Sequence, residues 1–366
     1  MDFMKQKMED VLKGIRENSC KGIVYAVVST LLFSYAFYAA QVTLHTKHSP
    51  PQVTIHAEYN ISVLELVFVC CSVEWISLLP FIIFGKTSIS FGREKCMLVL
   101  QLSLSYYLPL CFVYLALTFI PSSIMLPISA TCPVFSILFS YCIVKEKSNW
   151  FDGLCGMIAF TGVILIARPR FIFGNYGTKR VMFSQEKDES SRERDYLLGC
   201  TFTLIFAASR GLLFTLYRKS SVYVSENTEP MNPISLTFYP SLFGSIITPP
   251  LMVLSGESLQ LPSTTYGIYS LFACAFTGVF GVLACTAAMK TVTATTFSLI
   301  RNLDIVWAIL LQYMFDHIWP SPWSVGGGAL IVMTTFGVCF RQKIIKCGRN
   351  DNGYEEMDGN NENENG

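Results

Sequence analysis

The stretch TATTFSLIRNLDIVWAILLQYMF, residues 293–315, is long enough to cross a bilayer, yet it carries Arg301 and Asp304 three positions apart. A membrane-spanning helix needs about 20 mostly apolar residues. A charged side chain at its centre costs about 2.5–3.5 kcal/mol on insertion scales, so such residues usually face the protein interior or a solute path. On a continuous helix, positions i and i+3 share a face. The pair therefore reads either as lining a cavity or as a permanent ion pair that pins this helix to its neighbours.

The rest of the chain supports a membrane reading. Of its 366 residues, 52% are hydrophobic and 14% charged. Soluble domains carry about 25% charged residues. Aromatic residues reach 14%, as suits a chain in lipid with rings at the interfaces. A net charge of +1 gives no steering field, which argues against nucleic acid as a partner. Ten of the thirteen cysteines fall in apolar runs, Cys70, Cys71, Cys111 and Cys132 among them, and no C-x-x-C pair occurs. They read as small buried apolar side chains rather than bridges or metal ligands. No nucleophile motif, phosphate loop or zinc signature appears, so neither an enzyme nor a cofactor is expected.

Ten apolar runs mark candidate spans, at 22–43, 61–84, 97–118, 122–144 and 152–168, then 197–217, 233–254, 266–288, 293–315 and 322–340. They give a first five-helix unit over 22–168 and a second over 197–340. A polar linker, 169–196, separates them, and a segment at 1–21 and a tail at 341–366 flank them. The first segment lacks the apolar core of a cleavable signal. Its Met4, Met8, Val11 and Ile15 suit either a surface-lying amphipathic helix or a solvated one. The tail has the composition of a disordered segment, and its YEEM, 354–357, fits a loose sorting pattern that most often arises by accident. With the N-terminus in the cytosol, inward segments hold seventeen lysines and arginines and outward ones eight. The positive-inside rule then puts both termini in the cytosol. The basic residues of the central linker are an exception. That topology faces His45, His48, His56 and the sequon at Asn60 outward. The histidines lack cysteine or carboxylate partners and read as no metal site. The sequon abuts the second span too closely to be a good acceptor.

The two units look related. GLCGMIAFTGV, 153–163, and GALIVMTTFGV, 328–338, share their first glycine and a closing Gly-Val. Residues 114–144 can be laid on 285–315 without gaps, which sets Pro133 opposite Asp304. Units with an odd number of spans enter the membrane in opposite directions when duplicated, which is the inverted repeat of many secondary transporters.

Two blocks also resemble a known family. CPVFSILFSYCIVKEKSNWFDGLCGMIAFTGVILIARPRFIFG, 132–174, is similar to the end of the first EamA-type repeat in the drug/metabolite transporter superfamily, most nearly the G branch of the solute carrier 35 family. RNLDIVWAILLQYMF, 301–315, followed by WSVGGGAL, 323–330, resembles the matching part of the second repeat. The resemblance implies ten transmembrane helices with both termini cytosolic. Glu65 and Gln101 stand where related proteins often have basic residues, Arg301 and Asp304 keep the family's places, and Arg210 looks like an addition.

The fold class expected is therefore an all-α polytopic membrane protein built from two inverted five-helix EamA-type repeats. Its candidate solute-binding residues are Arg301, Asp304, Arg210, Tyr106 and Tyr107, and its candidate proton carriers are Glu74, Asp304 and Glu65. Arginine's planar fork suits a carboxylate or phosphate, with Arg210 as a second anion ligand or as partner to Glu74 or Glu65. Glu74 reads either as a coupling site or as a neutral acid bonded to a neighbour, and Glu65 either as a coupling site or as a helix-end charge. Tyr106 and Tyr107 line a cavity or simply pack. Asn302 suits a helix–helix hydrogen bond, and Gly153, Gly156, Gly326, Gly327 and Gly328 suit close helix approach. The function expected is alternating-access transport of an anionic or polar organic metabolite, with proton coupling as an option. The alternative is a membrane scaffold or regulator that keeps a transporter fold without transporting. Partners would be a small-molecule solute and the lipid bilayer, with a homodimer as an open option. Plasma membrane, endoplasmic reticulum and Golgi are equally compatible with the sequence.

Overall fold

A computed structural model describes residues 21–40, 61–84, 93–120, 128–145, 150–167, 189–222, 231–257, 265–316 and 322–341, with Met125, Leu259 and Trp319. The N-terminal segment with Met4 and Met8, the histidine loop, Asn60, most of the central linker and the YEEM tail lie outside the described residues. The helices are α1 (Lys21–Ala40), α2 (Val63–Phe84), α3 (Arg93–Phe119), α4 (Cys132–Phe139), α5 (Trp150–Ala167), α6 (Glu189–Val222), α7 (Pro233–Ser255), α8 (Thr265–Ala288), α9 (Ala294–Ile300), α10 (Leu303–Asp316) and α11 (Pro322–Arg341).

Among the described residues eight helical stretches are long and apolar enough to cross a membrane, counting α9 with α10 as one. The apolar helices Cys132–Val144 and Trp150–Ile166 are shorter. Large apolar side chains are exposed on the outside, including Phe84, Val134, Val253 and Phe340. A soluble protein would not tolerate that, whereas lipid tails accept it. α6 begins at Glu189, inside the stretch read as linker. The charged sequence ESSRERD suits a helix that continues beyond the apolar run into water.

Helix ends follow local chemistry. The Asn232 side chain accepts from Ile234 N–H, with Pro233 at the first helical position of α7, and Gly256 closes that helix in the left-handed region at φ 70°. The Thr293 hydroxyl accepts from Thr296 N–H at the start of α9.

The ninth span differs from the continuous helix expected. It is interrupted at Arg301–Asn302. There the backbone shifts to i→i−3 bonds, with Asn302 N–H donating to Leu299 O, Asp304 N–H to Arg301 O and Ile305 N–H to Asn302 O. The stretch read as the fourth span has a comparable turn at Ala130–Thr131, and Pro133 lies in the first turn of α4. Proline is favoured there because the N–H it lacks would be unpaired anyway. The two turns fall at matching positions of the gapless overlay of 114–144 on 285–315.

The core forms between the two halves of the chain. α3 packs along α6, α2 along α7, and α8 against α2, while α4 lies on α6. Gly211 permits the last contact, since a Cβ there would stand 2.9 Å from Ser136 N. α5 and α11 cross antiparallel. Gly162 meets Gly327 at the crossing, where a Cβ on either would strike the other's carbonyl oxygen. At one end of the pair Asp152 is ion-paired with Arg341. Of the five glycines expected at close approaches, Gly327 alone is tightly packed; Gly156 and Gly328 have ordinary contacts, and Gly153 and Gly326 face open space.

Candidate functional site

The buried charged residues among those described are Glu65, Glu74, Asp152, Arg210, Arg301 and Asp304. Three of them form one cluster. Arg301 Nη2 stands 2.5 Å from Asp304 Oδ2, and Arg210 Nη2 from α6 stands 3.2 Å from the same oxygen. Two guanidiniums thus share one carboxylate, so the cluster carries a net charge of +1.

Helix α1 holds the cluster from one side. Arg301 Nη1 donates to Ser29 O at 3.3 Å, Ser34 Oγ donates to Asp304 O at 3.0 Å, and Trp307 Nε1 donates to Thr30 Oγ1 at 2.9 Å. The Arg301 guanidinium lies 4.4 Å over the Phe33 ring, and that of Arg210 sits among Phe37, Phe206 and Phe214 at 5.3–5.9 Å. Aromatic faces attract cations without neutralising them. Even so, Nε of Arg301 and Oδ1 of Asp304 have no hydrogen-bond partner among the described residues, and Nη2 of Arg301 is met by the Asp304 carboxylate as an ion pair. Buried polar groups normally have one.

Those orphaned atoms belong to residues that border a cavity. A small pocket lies between the two helix interruptions, lined by Ser129, Ala130 and Cys132 on one side and Ser298, Arg301, Asn302, Asp304 and Ile305 on the other, with Arg210 completing it. A larger cavity lies between α1, α2, α3, α6 and α8. Arg210 lines both. The larger cavity is mainly aromatic, with Phe33 and Phe37 from α1, Tyr106 and Tyr114 from α3, and Phe206, Phe214 and Tyr217 from α6. Its polar groups include Glu74, whose Oε2 accepts from Tyr106 O–H at 2.6 Å, and the buried Tyr217 hydroxyl, which has no partner among the described residues. Cys70 and Cys274 face each other across it, Sγ to Sγ 3.9 Å, with the Tyr114 hydroxyl 3.7 Å from each.

Some expected site residues are elsewhere. Tyr107, one position and about 100° from Tyr106 on the helix, points at α7, bonds Thr248 at 3.1 Å and stacks edge-on with Phe243. Glu65 is buried in the first turn of α2 and lines neither cavity. Arg210 pairs with Asp304 rather than with Glu74 or Glu65, which corrects the partners expected for it.

The sequence profile of the EamA-like transporter family matches residues 20–168 and matches again over 197–340. The chain belongs to the EamA-like transporter family. Together with its apolar helices, membership makes it an integral multi-pass membrane protein. It is 25% identical to human solute carrier family 35 member G1 over 88% of this chain and 79% of that protein. A probable transport protein of Saccharomyces cerevisiae is 22% identical, over 84% of this chain and 86% of that one. An S-adenosylmethionine uptake transporter of Rickettsia prowazekii is 20% identical, over 73% of this chain and 80% of that protein. The fold is shared with a protein of known crystal structure at a TM-score of 0.63 and 13% identity, covering 87% of this chain and 98% of the other.

Sequence reading missed the α1 contributors Ser29, Phe33, Ser34 and Phe37, because nothing in an apolar run marks which face meets a cavity. It also missed Arg218, which donates to Met289 O at 2.8 Å and Lys290 O at 3.2 Å and so holds the α8–α9 connection.

Proposed function

We propose that this chain carries an organic anion, or a polar metabolite bearing an anionic group, across a membrane by alternating access. The observation that carries the reading is the shared carboxylate. Asp304 offsets one of two buried guanidiniums, and the Nε–H of Arg301 remains unbonded among the described residues, in a cluster that has net positive charge when Asp304 is ionised. An anionic group on a solute would complete both the charge and the hydrogen bonds. The aromatic lining of the adjoining cavity favours a solute with a flat or apolar body. A proton carried on Glu74 or Asp304 would couple the movement, as a buried carboxyl can.

The architecture proposed is ten spans in two inverted repeats, 22–168 and 197–340, joined by the linker 169–196, with both termini cytosolic. The antiparallel crossing of α5 and α11 and the matched helix interruptions support it. Transporter names among the relatives, one of them for uptake of S-adenosylmethionine, support a solute carrier over an enzyme. The test is uptake by the reconstituted full chain across a panel of anionic metabolites and nucleotide sugars at two pH values. For a solute so found, Arg301→Ala is expected to weaken apparent affinity by roughly ten- to hundredfold, the range of one charge-assisted hydrogen bond. Unchanged affinity in that variant would sink the ligand role of Arg301.

A further inference from the structure

Glu74 has an environment unlike that of Asp304. Asp304 has two guanidiniums on one oxygen. Glu74 is 3% exposed and is bonded by a tyrosine hydroxyl. The titratable groups that share its cavity are Cys70 on its own helix, Tyr106 and Tyr114 on α3, Tyr217 and Arg210 on α6, and Cys274 and Cys285 on α8. Cys71, also on α2, is buried on the other side against Gly244. Helix α1 contributes aromatic rings there, and α7, packed on the far side of α2, carries no charged residue. Among the described residues, Arg210 is thus the one charged group that lines the same cavity, and it also belongs to the Asp304 cluster.

The charge count then depends on Glu74. Counted together through Arg210, which lines both cavities, the two arginines are balanced by Asp304 and Glu74 when the Glu74 carboxyl is ionised. With it protonated, the site holds one uncompensated positive charge inside a low-dielectric interior. A buried unpaired charge is unfavourable unless a counter-charge arrives.

We propose that Glu74 makes this cavity a proton–anion symport site, in which protonation of Glu74 is the condition for binding one anionic charge beside Arg210. The inference rests on the organic-anion reading above and adds its sign and stoichiometry. The proton comes from the same aqueous side as the anion and leaves with it, so the loaded and empty cavities are both neutral. Of the two carboxyls, Glu74 is assigned the proton because Asp304 has two guanidiniums on one oxygen and Glu74 has none. Reciprocity makes the effect measurable from either side: if protonation favours the anion, the anion favours protonation by the same factor.

The probe is benzenesulfonate, an aromatic anion whose own charge does not change between pH 5 and 9. It is titrated by calorimetry into the full chain in lipid nanodiscs, in two buffers of different ionisation enthalpy. Binding is expected to strengthen as pH falls, approaching tenfold per pH unit where Glu74 titrates, with about one proton taken up per anion. Glu74→Gln is expected to bind benzenesulfonate at every pH as the wild type does at low pH, with no proton uptake. Binding with no pH dependence and no proton uptake in the wild type would overturn the symport and leave the anion site standing. So would a Glu74→Gln variant that keeps the wild-type pH profile. Absence of binding at every pH would overturn both, and tighter binding of benzylamine than of benzenesulfonate would reverse the sign of the site. The wild-type proton count needs no variant, so the outcome does not depend on how Glu74→Gln folds.

Discussion

Arg210 Nη2 lies 3.2 Å from Asp304 Oδ2, joining α6 to α10 across 94 positions of sequence. That contact makes Asp304, and not Arg301, the hub of the buried charges. Either arginine can be removed and the carboxylate keeps a partner, whereas removing the carboxylate strands both cations.

The order of stabilities among variants follows. Asp304→Ala is expected to be the most destabilising, by about 3–5 kcal/mol, the range for breaking one side of a buried pair. Arg301→Ala and Arg210→Ala should each cost less. Thermal unfolding of the purified proteins in one detergent checks the order. An Asp304→Ala protein as stable as Arg210→Ala would mean that the arginines are neutralised by another group.

Two adjacent tyrosines should separate in the same assay. Tyr106→Phe removes the 2.6 Å donor from the buried Glu74 carboxyl and is expected to cost about 1.5–3 kcal/mol, as for a hydrogen bond to a charged group. Tyr107→Phe removes a 3.1 Å bond with Thr248, whose hydroxyl also bonds Gly244 O at 2.6 Å, so the cost should stay near 0.5–1.5 kcal/mol. Solute affinity should change with the first variant and hold with the second, since Tyr106 lines the cavity and Tyr107 does not.

The glycines offer a sharper contrast. A Cβ at Gly162 or Gly327 would strike the opposite backbone, which cannot yield as a side chain does. Gly162→Ala and Gly327→Ala are each expected to cost about 1–3 kcal/mol, the usual range for overpacking. At Gly153 and Gly326, both within helices, an added Cβ meets open space. There alanine should stabilise by up to about 0.8–1 kcal/mol through helix propensity. A uniform response at all four positions would contradict the antiparallel crossing of α5 and α11.

These contrasts mark where the sequence could be read and where it could not. Arg301 and Asp304 stood out because charges in an apolar run are few and costly, and the structure brings them to a cavity. The partner of Arg210 was hidden, because pairing between helices distant in sequence depends on packing, and Glu74, Glu65 and Asp304 were all chemically suitable. Tyr106 and Tyr107 differ by a rotation of about 100° that no residue type encodes. The interruption at Arg301–Asn302 contains neither glycine nor proline, the residues that ordinarily announce one. It accompanies hydrogen bonds from Ser34 and to Ser29 of α1, which are invisible until α1 is packed against it.

The C-terminal residues give the last test, which separates a carrier from a scaffold. Every group assigned to the site lies between Ser29 and Trp307, and α11 ends at Arg341, whose guanidinium is paired with Asp152 and lies 5.7 Å over the Phe151 ring. Removing residues 350–366 deletes no residue of that anchor or of either cavity lining. A carrier so truncated is expected to retain full uptake of its solute in proteoliposomes, with unchanged apparent affinity. A protein whose work is done by its tail would instead lose its partner while its helices stayed folded. Uptake that falls on truncation, in a protein whose thermal unfolding is unchanged, would show that the tail acts on the transport cycle itself.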